Sequence, residues 1–154
     1  MSQAGIDDLV RRDVPLLRAD EPLEAALHTL LGSGLPALPV VSEDGALAGI
    51  FGEREFIEAL FPGYLGQLRH TAFLSRSLDD ALERRAGCRT EPVGAHLHQG
   101  HVRVGLDGSD IQVAELFLHH RVLIVPVVDG GRVIGVVTRG DFFRAAARRL
   151  LGLA

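Results

Sequence analysis

The chain has 154 residues, of which 47% are hydrophobic and 23% charged, the size and balance of one folded domain or two very small ones rather than a disordered segment. Its formal net charge of −4 gives no basis for counterion release on a phosphate backbone, so nucleic acid is not an expected partner. One cysteine, Cys88, excludes an intrachain disulfide, the polar, acidic N-terminus is unlike a signal peptide, and the longest apolar stretch, 122–128, is too short for a membrane span, so the expectation is a cytoplasmic protein.

In chain order, Asp20-Glu21-Pro22 opens a helical pattern with Leu23, Ala26, Leu27, Leu30 and Leu31 on one face. Asp20 is the expected N-cap, and Gly32 or Gly34 the stop. Strands follow at 37–41 and 46–51, joined by Ser42-Glu43-Asp44-Gly45, and then a helix at 53–61. In the linking region, 62–93, Ser77-Leu78-Asp79-Asp80 reads as a capping box for a helix on the outside of the molecule that stops at Gly87. Ser109 or Asp110 caps the next helix, through Ile111, Ala114, Phe117 and Leu118. Strands at 122–128 and 132–137 are joined by Asp129-Gly130-Gly131, and a basic helix closes the pattern at 139–151.

This order is a repeat. Residues 38–56, LPVVSEDGALAGIFGEREF, and residues 125–142, VPVVDGGRVIGVVTRGDF, share Pro-Val-Val, a Gly-bearing turn, a strand broken by one Gly and a charged step into Phe. Each copy is too small to bury a sufficient core alone, so two β-α-β-β-α halves are expected to share one.

The doubled pattern resembles the cystathionine-β-synthase (CBS) domain family, whose tandem pairs are called Bateman modules. The marks are Val125-Pro126-Val127-Val128-Asp129 and then Gly135-Val136-Val137-Thr138-Arg139-Gly140-Asp141. The resemblance spans roughly residues 8–61 and 93–150, most of the chain. It implies an α+β fold of two repeats packed sheet to sheet as one pseudo-symmetric module, with the first motif at 8–61, a linking segment at 62–93 and the second motif at 94–151. It also implies a regulatory module, not an enzyme, that binds AMP, ADP, ATP or S-adenosylmethionine between the copies, forms a homodimer through its helices and passes its output to a separate effector protein.

Carried over by residue, the resemblance has Asp141 accept from the ribose hydroxyls and Thr138 donate to the α-phosphate or a group in its place. A carboxylate suits a vicinal diol, and a hydroxyl at a helix N-terminus suits a phosphate. Val122, Leu123 and Ile124 would line an adenine slot, with Val102 or Val104 opposite, and Arg139 either reaches a phosphate or only solvates its helix. Thr138 and Asp141 equally suit helix caps. The first copy has Gly52 in place of Thr138 and Glu55 in place of Asp141, a weaker site.

His96, His98 and His101, with His70 and Cys88 elsewhere, are read as solvated loop histidines and an inert thiol rather than metal ligands or a nucleophile. Phe56, Phe61, Phe142 and Phe143 flank the closing helices and are the expected apolar faces of an interface. Two other readings stay open: a dimerisation or adaptor module that needs no ligand, and a small metal-dependent enzyme using the histidines.

Overall fold

A computed structural model of the chain describes residues 5–61, 77–98 and 100–153. The first copy runs β1 (Leu17–Arg18), α1 (Leu23–Ser33), β2 (Ala37–Val41), β3 (Leu47–Gly52) and α2 (Glu53–Leu60). A linking helix α3 (Leu78–Arg84) follows. The second copy runs β4 (Val104–Gly105), α4 (Asp110–His119), β5 (Ile124–Asp129), β6 (Arg132–Thr138) and α5 (Arg139–Leu150). The two three-stranded sheets, β1-β2-β3 and β4-β5-β6, have the same topology: the first pair parallel, the second an antiparallel hairpin. Even the irregularity repeats, with a register shift at Val40/Val41 in one hairpin and at Val127/Val128 in the other. The fold is α+β, two β-α-β-β-α repeats packed sheet to sheet.

Strand periodicity creates the shared core. Along β2, Leu38 and Val40 point to the first copy's own helices, while Ala37, on the opposite face, joins Ile50 in the apolar cluster of the second copy. That cluster also takes Ile6, which is fully buried, with Leu9, Val10 and Val14 packed at its edge. The segment leading into the first copy therefore lies on the second. Arg11 N–H donates to Val136 O at 2.8 Å and Val136 N–H returns to Arg11 O at 3.0 Å. The segment leading into the second copy does the reverse, with His98 N–H donating to Ile50 O at 2.9 Å. A glycine permits each crossing. A Cβ on Gly135 would lie 2.3 Å from Arg11 O, and one on Gly49 would lie 3.0 Å from a Leu97 methyl.

Several local expectations are corrected. Asp20 does not cap α1; it pairs with Arg18 at 3.3 Å, Pro22 takes the N-cap position, and Leu23 N–H is satisfied by Glu91 O at 2.8 Å. A long-range partner has replaced the side-chain cap, which local sequence does not reveal. Gly34, at φ +72°, ends α1 as a left-handed C-cap. The buried residue of α4 is Val113, whereas Ile111 and Leu118 face outward; Ser109 and Gln112 form its capping box. The strand expected to start at Val122 starts at Ile124, leaving Val122 and Leu123 on the approach to it.

The linking helix is capped by Ser77 Oγ, which accepts from Asp80 N–H at 3.1 Å, and ends before the turn through Gly87. Its Ala81 is buried, and Arg85 beyond it donates to Ala59 O at 2.8 Å, so it is fastened to α2. Among the described phenylalanines only Phe143 faces outward. Phe56 and Phe142 pack on the two cores, Phe142 with its ring centroid 5.9 Å from that of Phe117, and Phe61 is half-buried. No described helix is long and apolar enough to cross a membrane.

Candidate functional site

Strand β6 delivers Thr138 straight into α5, so the second copy's motif sits at a strand-to-helix junction. Thr138 is buried and is the N-cap: its Oγ1 accepts from Asp141 N–H at 2.9 Å. The capping role is thus present, and the hydroxyl's own proton is shared with the Asp141 carboxylate. The Asp141 carboxylate is engaged by two guanidiniums. Arg11 Nε and Nη2 approach Oδ2 and Oδ1 at 2.6 and 3.0 Å, and Arg144 Nη2 approaches Oδ1 at 2.7 Å. Arg11 first, then Arg144 and the Thr138 hydroxyl, hold the carboxyl well below the usual carboxylate range. The same pairing raises the Arg11 guanidinium.

Arg11 is the residue that sequence reasoning misses. It lies outside the repeated motif and reaches Asp141 only because the lead-in crosses to the other copy. Gly135 was legible as part of the Gly-x-x-Thr motif, but nothing local says which segment needs the space above it.

The apolar residues expected around a base are brought together. Val102, Val104, Val122 and Ile124 are buried in one cluster, closed upon each other, and Leu123 alone is partly open. Arg139 is exposed; its backbone N–H donates to Leu123 O at 2.9 Å, tying the start of α5 to the approach to β5. Leu123 and Arg139 also line an open cleft of about 450 Å³ with Arg54, His119, His120 and Arg121, no carboxylate among them. Arg54 comes from the first copy and the rest from the second, so this positive cleft straddles both.

The equivalent junction of the first copy is built differently. Gly52 caps α2, and a Cβ there would fall 2.4 Å from the Ala37 Cβ and 2.5 Å from Pro36 O. The space a threonine side chain needs is therefore filled. Glu55 is buried, its carboxylate turned back to accept from the backbone N–H groups of its own residue and of Gly52. Burial pushes its pKa up, the opposite of Asp141.

The histidines do not act as one group. His96 pairs with Glu91 Oε1 at 2.9 Å. His98 packs edge-on to His120, ring centroids 6.3 Å apart, with Nε2 buried and bonded to no described residue; burial lowers its pKa. His101 is exposed, and His70 lies outside the described residues. The expectation of solvated histidines is corrected for His96 and His98, which are both half-buried because this segment is the crossing lead-in rather than a free loop. Among the described residues no three metal-binding side chains converge. Cys88 is buried in the first core.

Comparison with known proteins adds the family. The model of the CBS domain matches residues 6–62 and 104–148. A CBS domain-containing protein of Dictyostelium discoideum is 29% identical over 137 residues, covering 88% of this chain and 86% of the relative. Among solved structures, the CBS domain of a CBS domain-containing membrane protein from Sphaerobacter thermophilus is 25% identical with a TM-score of 0.69, over 92% of this chain and 87% of that one. CBSX2, solved in complex with AMP, is 22% identical with a TM-score of 0.67, over 96% and 98%. These relatives are named for the domain or the chain and carry no enzyme name. With two matched regions, two equivalent sheets and two equivalent strand-to-helix junctions, the chain belongs to the CBS domain family, as a CBS pair.

Proposed function

We propose that the chain is a regulatory module, not an enzyme, whose second copy binds an adenine nucleotide or a related adenosyl ligand and whose occupancy is read by a separate effector protein. The observation that carries this reading is the junction of β6 and α5. There a hydroxyl and an ionised carboxylate stand together at a helix N-terminus, the groups that suit a phosphate and a ribose diol. Asp141 would accept the ribose diol once Arg11 swings away, and Thr138 would meet the first phosphate. Leu123, Val122, Ile124 and Val104 would open to take the base. The positive cleft of Arg54, Arg121 and Arg139 favours a phosphate tail, and so AMP, ADP or ATP over S-adenosylmethionine, whose sulfonium is positive. That CBSX2, of the same fold, is solved with AMP agrees with the ligand class. We further propose that the module works as a cytoplasmic homodimer joined through its helices.

Calorimetry with AMP, ADP, ATP and S-adenosylmethionine tests the ligand reading. Asp141→Ala is expected to weaken the best ligand by about tenfold or more, the scale of a lost charge-assisted hydrogen bond. Glu55→Ala is expected to change it little, since that carboxylate faces its own helix. Equal losses would overturn the assignment to the second copy.

A second reading has its own observation. Thr138 already caps α5, two arginines already satisfy Asp141, and the apolar wall is closed. A ligand-independent adaptor would look like this, and no heat with any of the four compounds would favour it.

A further inference from the structure

Arg11 reaches the Asp141 carboxylate with two donors at once, Nε on Oδ2 at 2.6 Å and Nη2 on Oδ1 at 3.0 Å, so each oxygen holds one N–H of the same guanidinium. Arg144 touches Oδ1 alone, at 2.7 Å. A side-by-side pair of donors, one for each carboxylate oxygen, is also what a vicinal diol offers. The Arg11 fork therefore imitates the two ribose hydroxyls. Its side chain is 48% exposed while its backbone is bonded to Val136 in both directions, so the fork can turn out to solvent with the lead-in still in place. The first copy has the same crossing without the fork. There His98 takes the place of Arg11, its N–H donating to Ile50 O, the residue after Gly49 as Val136 is the residue after Gly135. An imidazole has no such fork, and the Glu55 carboxylate turns back to its own helix. The fork thus accompanies the carboxylate that can receive a diol, not the crossing as such.

We propose that Arg11 is a specificity-determining residue of this site: an internal competitor for the ribose carboxylate that yields to a ligand bringing a phosphate and holds out against one that does not. This rests on the adenine-nucleotide reading above and adds which adenosyl ligands the site admits. Entry of any diol breaks both Arg11 bonds and leaves a guanidinium without its carboxylate. A bare nucleoside offers nothing in exchange. A nucleotide does: with its ribose on Asp141 and its first phosphate beside Thr138, it sets an anion next to the freed guanidinium, and arginine takes phosphate with the same fork. One ion pair then replaces another, and the cost of displacing Arg11 falls on the nucleoside alone. For a pair this exposed that cost is about fivefold in affinity.

Calorimetry with adenosine and with AMP on the wild-type chain, Arg11→Gln and Arg12→Gln tests this, with thermal melts to establish that each variant is folded. Arg11→Gln is expected to tighten adenosine by about fivefold and to leave AMP nearly unchanged, so that the preference for AMP narrows. Arg12→Gln removes the same charge from the neighbouring residue, which pairs with Asp7 at 3.3 Å, and is expected to leave adenosine as it was. No gain for adenosine in Arg11→Gln, while AMP binds, overturns the competition. An equal gain for both compounds overturns the selectivity. The same gain in Arg12→Gln assigns the effect to net charge and overturns the role of the fork. Each of these three leaves the nucleotide reading standing. If neither compound binds any of the three chains, that reading falls and this inference with it.

Discussion

Asp141 and Glu55 stand at equivalent places in the two copies, yet their surroundings displace their pKa values in opposite directions. Arg11 lowers the first, and its contribution to stability is present above the unfolded carboxyl pKa, near 4, and is lost as pH falls toward the lowered folded value. Arg11 is 48% exposed along its side chain, so solvent screening limits the pair to about 1 kcal/mol. Burial raises the second, so the folded state carries a cost above the folded pKa of Glu55 that protonation relieves as pH falls. Asp141→Asn is therefore expected to lower Tm at pH 7 and flatten its decline toward pH 3, while Glu55→Gln raises Tm at pH 8 with no gain at pH 4. Thermal melts across that range check both. The same direction of change in the two variants would refute the contrast.

At the scale of elements, most strands and helices were legible because the periodicities of 2.0 and 3.6 and the Gly-bearing turns are local signals. What was not legible is whatever crosses between copies. Pro22 rather than Asp20 begins α1 because Glu91, far along the chain, supplies the partner. Val113 rather than Ile111 faces the core because the second copy's sheet sets the angle of α4, and a helix with apolar residues on several sides does not declare its inner face. At the two junctions, Thr138, Asp141, Gly52 and Glu55 were singled out through the family resemblance; Arg11 was not, because it lies outside the motif. Gly135 tests this crossing. Gly135→Ala would drive a methyl into Arg11 O, so the lead-in must lift, at a cost of about 1–3 kcal/mol. Hydrogen exchange of the Val136 amide is expected to accelerate, and the Arg11–Asp141 pair to be lost with it. Unchanged protection at Val136 would show that the lead-in is not held by that contact.

On the scale of the whole molecule, the second half does not own its core. The cluster under the second sheet needs Ile6 and Val10 from the lead-in and Ala37 and Ile50 from the first sheet. Residues 94–154 expressed alone are expected to lack a cooperative thermal transition and the near-ultraviolet circular dichroism of a packed core. Adding residues 1–61 in trans is expected to restore part of that signal. A cooperative melt from the isolated second half would contradict the shared core.

The crossed lead-ins also decide where a mechanical load goes. Tension applied at Ile6 and drawn away from the molecule does not peel the first copy, to which that stretch is joined in sequence. It pulls on β6, through the backbone pair at Arg11 and Val136, and on the carboxylate of Asp141. In an optical trap the opening event is then expected at the second copy. Whatever grips that carboxylate in place of Arg11 would change the force at which the handle comes free, so the lead-in to the first copy is a lever whose fulcrum is the other half of the protein.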